Sequence, residues 1–301
     1  MISTVLTKKS AKARAKAARR PLLVIDGDSF AHRAYHALPK NILRDGGRPA
    51  GAILGFANRL LQLYRTEAPR AVLVGFDTLE TTTYRHQAFA DYQSGREFDD
   101  DLVEQLALIP KFVAACGFAN AKRAGYEADD FLAAAAAAEE RRRGTVLVAS
   151  GDRDAFQLAS AKTTILYPLR AGETARIGPD QVRERYGVEP KQVPDFIALR
   201  GDPSDKLPGA PGICPLGAAA LLGRYGSLAG ILKAGRFARQ AEDLRLYRAI
   251  ATMDKNAPLP QLTDQKPTWT KAAALARKWQ LRQLASRLEQ MAKAAAAQKI
   301  R

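Results

Sequence analysis

The chain has 301 residues, 47% of them hydrophobic, which is enough to bury a sizeable core. No apolar run approaches the roughly 18 residues of a membrane-spanning helix, so no membrane partner is expected, and having only two cysteines fits a reducing, cytoplasmic setting. Two cysteines (Cys116, Cys214) exclude a disulfide framework, and with only three histidines they exclude a usual zinc site, so any metal would have to be held by oxygen.

The net charge of +16 is unevenly spread: residues 1–20 contribute +7 and residues 271–301 another +7, leaving +2 for residues 21–270. Residues 1–20 read as a basic flexible arm. Such ends serve either as solvated, solubilising segments or as non-specific attractors of phosphate. PLLVIDGD (21–28), AVLVGFD (71–77) and TVLVASGDRD (145–154) are short branched apolar runs ending in acids, the pattern of strands buried on both faces of a parallel sheet. Helical stretches lie between them at 51–67, 101–116 and 128–143, so strand and helix alternate as in an α/β fold with crossover connections. From about residue 186 the texture changes to short helices broken by Gly and Pro, with no strand candidate. Residues 21–185 are thus expected to form an α/β core and 186–260 a helical unit. Residues 261–301 read as a basic C-terminal tail, partly helical.

The acids fall where such a sheet gathers functional groups. Asp26 and Asp28 follow the first strand, Asp77 the second, and Asp152 and Asp154 the third; Glu127, Asp129 and Asp130 open a helix, and Asp202 and Asp205 lie in a Gly/Pro loop. Side chains just past the carboxyl ends of parallel strands converge on one crevice. Any one of these acids could be a helix cap or turn residue. Four clusters converging would repel one another and require bound cations or retained protons. Hard oxygen ligands suit two Mg²⁺ ions, or Mn²⁺ as a substitute, which can serve in-line phosphodiester hydrolysis. No P-loop signature and no Ser–His–Asp arrangement points elsewhere.

LLVIDGDSFAHRAYHALP, GFDTLETTTYRHQAFADYQSGR, GYEADD, VASGDRD and GDPSDKLPGAPGI occur in the order seen in structure-specific 5′ nucleases. The chain from Leu22 to Pro260 resembles this family, which includes flap endonucleases and the 5′–3′ exonuclease domain of bacterial DNA polymerase I. The resemblance implies a PIN-like (resolvase-like), mostly parallel α/β sheet flanked by helices, a helical arch over residues 80–101, and a C-terminal helix–turn–helix-type (H3TH) subdomain that grips duplex. It implies a first metal on Asp26, Asp77, Glu127 and Asp129, and a second shaped by Asp130, Asp152, Asp154, Asp202 and Asp205, with Asp28 outside the acid set. DNA with a 5′ flap, 5′ end or branch is the implied partner of a monomeric enzyme of replication and repair. Arg85 and Arg96 match positions that steer phosphates; Arg33, Tyr35, Tyr92, Lys122, Gly209, Gly212 and Ile213 are further candidates for nucleic-acid contact.

Two departures stand out. The family's Tyr-Lys-x-x-Arg is here Tyr92-Gln93-Ser94-Gly95-Arg96, so Gln93 brings a neutral amide where a cation is usual, and either turnover is slower or Arg96, Arg85 or Lys122 substitutes for it. The duplex-gripping turn, usually Gly-Ile-Gly-x-Lys-Thr-Ala, reads Gly212-Ile213-Cys214-Pro215-Leu216-Gly217-Ala218, which alters the place where a K⁺ ion would sit. The rival readings are a ribonuclease of the same acidic-site class, a phosphatase built on Asp26-Gly27-Asp28, and a DNA-structure binding protein with a relic site.

Overall fold

The computed structural model describes residues 20–300 except 96, 170 and 171, with only the backbone of 298–300. Arg96 and nearly all of the basic arm therefore lie outside the described residues. In chain order the elements are β1 (Leu22–Asp26), α1 (Gly27–Ala37), α2 (Gly51–Glu67), β2 (Ala71–Gly75), α3 (Tyr84–Ala88), α4 (Asp100–Ala115), β3 (Ala119–Ala121), α5 (Ala128–Arg141) and β4 (Val146–Ala149). They continue with β5 (Thr163–Pro168), β6 (Thr174–Ile177), α6 (Pro179–Tyr186), α7 (Val193–Arg200), α8 (Pro215–Tyr225), α9 (Leu228–Lys233), α10 (Ala241–Ala251), α11 (Trp269–Lys278) and α12 (Arg282–Ile300).

The six strands form one sheet in the order β3-β2-β1-β4-β5-β6, parallel except for β6, which runs antiparallel to β5. Every residue of β1, β2 and β4 is buried, which explains why these strands are uniform apolar runs rather than alternating ones. Their side chains nevertheless alternate between two cores. Leu22, Val24, Leu73, Val146 and Val148 pack with α5 and the helical unit α7–α10. Leu23, Ile25, Val72, Val74, Leu147 and Ala149 pack with α1, α2 and α4 on the other face.

The C-terminal stretch, read from composition as a basic tail, is integral to that second core. Trp269, Ala273, Trp279, Leu281, Leu284, Ala285 and Leu288 are all buried in it. The basic residues Lys271, Arg277, Lys278, Arg282 and Lys293 point to solvent from the opposite faces of α11 and α12. The spacing 281, 284, 285, 288 is an ordinary amphipathic stripe.

Candidate active site

Three adjacent parallel strands (β2, β1 and β4) end on the same edge of the sheet, and their acids enter one pocket of 420 Å³. Eight carboxylates line it: Asp26, Asp28, Asp77, Glu127, Asp129, Asp152, Asp154 and Asp205. Asp26 ends β1 and caps α1, with Oδ1 accepting from the Ser29 amide (2.9 Å) and Oδ2 from the Ser150 hydroxyl (2.7 Å). The glycine that follows is sterically required, because a Cβ at Gly27 would stand 2.3 Å from the Phe76 ring. Asp77 accepts from the Ala128 amide at the start of α5 (2.7 Å), which ties the end of β2 to the helix that carries Glu127 and Asp129. The Asp154 amide donates to Asp152 (2.8 Å). Each clamp fixes a carboxylate with one or two donors, and a carboxylate has about four acceptor sites.

The electrostatics are those of a cation site. Burial pushes the Asp26 carboxyl up to about 7, with the charges of Asp77 and Asp152 adding to the rise. Asp28, Asp129 and Asp154 are raised well above the usual range, first by burial and then by neighbouring carboxylates. Asp129 Oδ1 is shut off from solvent and has no hydrogen-bond partner in the protein, a costly arrangement unless something positive occupies the pocket. The donor set is all oxygen, which fits Mg²⁺ or Mn²⁺. Among the described residues no three such side chains already close on one point as a finished metal cage.

Two expected metal carboxylates lie outside this lining. Asp130 is fully buried and accepts two hydrogen bonds from Arg85 (2.9 and 2.7 Å), one from the Tyr84 hydroxyl (3.1 Å), and others from the amides of Asp254 and Glu127. Its oxygens are taken up by the protein, which corrects its placement as a metal ligand. Asp202 is 8% exposed and accepts from the amide and hydroxyl of Ser204 and from Arg200, so it shapes the loop that presents Asp205. Asp28, set outside the acid set by resemblance, lines the pocket and accepts from the Asp77 amide (2.8 Å).

The basic and aromatic candidates also separate. Arg85 touches the pocket, but its guanidinium is buried. It bridges Asp130, Glu127 (3.4 Å) and the Ile250 carbonyl (2.9 Å), joining α3, α5 and α10 rather than reaching for phosphate. Arg33 is exposed at the pocket rim. Tyr35 is buried with its hydroxyl donated to Asp99, and Lys122 sits outside the pocket near Glu80 (3.8 Å). Tyr92 is buried and donates to Glu127 (2.9 Å), while Gln93 donates to Asp205 (2.9 Å). In the helical unit, Gly209 has φ +76° and a Cβ there would meet the Gly201 amide at 2.4 Å, so this glycine serves close backbone packing. Gly212 is exposed with φ +75°, Ile213 is half-buried, and Leu216 is 83% exposed at the start of α8. Sequence reasoning missed the hydroxyls of Ser150 and Thr83, the latter donating to Glu127 (2.9 Å), the Ser29 hydroxyl that accepts from the Gly151 amide, and the lining pair His32 and Phe98 with rings 5.3 Å apart. Only Ser150, beside the acids that follow β4, carried a positional hint.

A parallel sheet whose strand ends pour acids into one crevice, with a helical unit packed beside it, defines an acidic-site nuclease fold. Residues 21–187 match the model of the 5′-3′ exonuclease N-terminal resolvase-like domain, and residues 188–274 that of the 5′-3′ exonuclease C-terminal SAM fold. The chain belongs to the 5′-3′ exonuclease family. It is 37% identical over 253 residues to DNA polymerase I of Mycobacterium tuberculosis, covering 83% of this chain and 28% of the relative. It is 36% identical over 248 residues to the thermostable DNA polymerase I of Thermus aquaticus, covering 79% of this chain and 29% of that one. The chain thus spans a little over a quarter of the length of these polymerases. Zinc-bound T5 5′-exonuclease shares the fold at a TM-score of 0.65 and 16% identity, covering 90% of this chain and 99% of its own. The catalytic core of Rad2 in complex with DNA shares it at 0.58 and 14%, covering 90% and 91%.

Proposed function

We propose that this protein hydrolyses phosphodiester bonds in DNA from 5′ ends or 5′ flaps, using two Mg²⁺ ions, in replication or repair. The observation that carries this reading is the pocket of eight carboxylates with the orphaned, buried Asp129 Oδ1. Asp26, Asp77, Glu127 and Asp129 would hold one ion; Asp152, Asp154 and Asp205 would hold the other. Bound there, the ions would supply an activated water at neutral pH and neutralise charge on the scissile phosphate. The protein's own share is positioning: Ser29, Ser150 and the Ala128 amide fix the acids, and Arg33 at the rim offers a cation to an incoming backbone. The DNA polymerase I relatives and the DNA-bound Rad2 core support DNA as the substrate class.

A panel of 5′-flap DNA, blunt duplex, single-stranded DNA and single-stranded RNA, each with Mg²⁺ or EDTA, tests the proposal. Flap or duplex DNA should be cut in Mg²⁺ and left intact in EDTA. Preferential RNA cleavage would replace DNA as substrate, and cutting that survives EDTA would remove the metal mechanism.

A further inference from the structure

Gln93, placed by the resemblance at a position usually held by lysine, makes two side-chain hydrogen bonds at the pocket wall. Its side-chain nitrogen donates both to Asp205 Oδ1 (2.9 Å) and to the Tyr92 hydroxyl (2.8 Å). Tyr92 in turn donates to Glu127 Oε2 (2.9 Å). Both ends of this chain are carboxylates, which accept only, so the amide must present its NH₂ group and use both hydrogens. The buried Tyr92 hydroxyl accepts from Gln93 and donates onward to Glu127, which links the two bonds in series. The backbone of Gln93 lies in the left-handed region at φ +51°, a conformation a non-glycine residue holds only when its surroundings impose it.

We infer that Gln93 is a positioning residue: through Tyr92 it straps Asp205, on the loop after α7, to Glu127, at the start of α5, and sets the spacing of the two metal subsites. This rests on the two-ion reading above. A neutral amide is suited to the task, because it orients Asp205 without adding a positive charge that would compete with the cation. The strap also joins carboxylates from the two parts of the chain, the α/β core and the helical unit, so it couples their placement.

Calorimetric titration of Mn²⁺ into the DNA-free protein tests the inference without reference to turnover. Gln93→Leu keeps the bulk but loses both donors, and outer-shell partners of this kind typically matter about 10–100-fold in metal affinity. The wild type should bind two ions; Gln93→Leu should bind one as before and the other at least about tenfold more weakly. Gln93→Glu, which replaces the donors with a third acid, should drive the folded metal-free protein to a lower melting temperature, recovered by Mn²⁺. Circular dichroism in EDTA establishes that each variant is folded; should Gln93→Leu fail to fold, Gln93→Ala takes its place in the titration. Two wild-type affinities in the folded leucine or alanine variant would overturn the strap. A wild type that binds no Mn²⁺ would instead overturn the two-ion reading itself.

Discussion

Asp129 and Asp130 are neighbours in sequence with opposite fates. Adjacent helical residues project about 100° apart, so one turns its carboxylate into the pocket and the other into the protein. Asp130 with Arg85 forms a buried pair, and removing one partner of such a pair typically costs about 3–5 kcal/mol; this belongs to folding rather than catalysis. The pocket acids behave differently because they repel one another. Burial pushes the Asp26 carboxyl up to about 7 from an ordinary 3.8, and Asp28, Asp129 and Asp154 are raised too, so across that window the folded metal-free chain binds more protons than the unfolded one. Their contribution to stability therefore falls as pH rises from about 4 towards 7. In EDTA the melting temperature should be higher at about pH 5.5 than at about pH 8, and Mg²⁺ should narrow the gap by replacing protons with cations. A melting temperature indifferent to both pH and Mg²⁺ would contradict this electrostatic picture.

At the scale of elements, β1, β2 and β4 and the helices α2, α4 and α5 were legible because uniform apolar runs and helical periodicity are local signals. The strands β3, β5 and β6 were not. β3 has only three residues, and β5 and β6 lie near an edge, where burial is partial and the pattern is diluted. The acids after strands were legible for the same local reason, whereas the clamp at Ser150 and the direction of Asp130 depend on contacts 124 residues apart. In the basic, partly helical C-terminal stretch, composition marks the exposed face, and only the stripe of Leu281, Leu284, Ala285 and Leu288 marks the buried one. That stripe has a consequence. Ending the chain at Lys278 removes Trp279, Leu281, Leu284 and Leu288 from the core. At about 1.5–3 kcal/mol each, the loss is on the order of 6–12 kcal/mol, comparable with the roughly 5–15 kcal/mol that holds a domain folded. The truncated protein should be insoluble or lack a cooperative melt. A cooperative transition at the full-length temperature would show α12 to be an accessory after all.

For the whole molecule, the net charge of +16 says little about the site, since eight carboxylates line the pocket while basic residues such as Lys271, Arg277, Lys278, Arg282 and Lys293 are exposed on α11 and α12. The sheet brings three strand ends to one edge, α5 adds Glu127 and Asp129, and the loop after α7 adds Asp205, so the site exists only when the core and the helical unit are assembled together. The most direct test is single-turnover cleavage of a 5′-labelled flap DNA in Mg²⁺ by the wild type and by Asp129→Asn, with DNA affinity measured alongside. The carboxylate pocket predicts cleavage reduced by about two to three orders of magnitude, the scale of a lost transition-state contact, with affinity within a few-fold of wild type. Undiminished cutting by the folded Asp129→Asn protein would place the chemistry elsewhere.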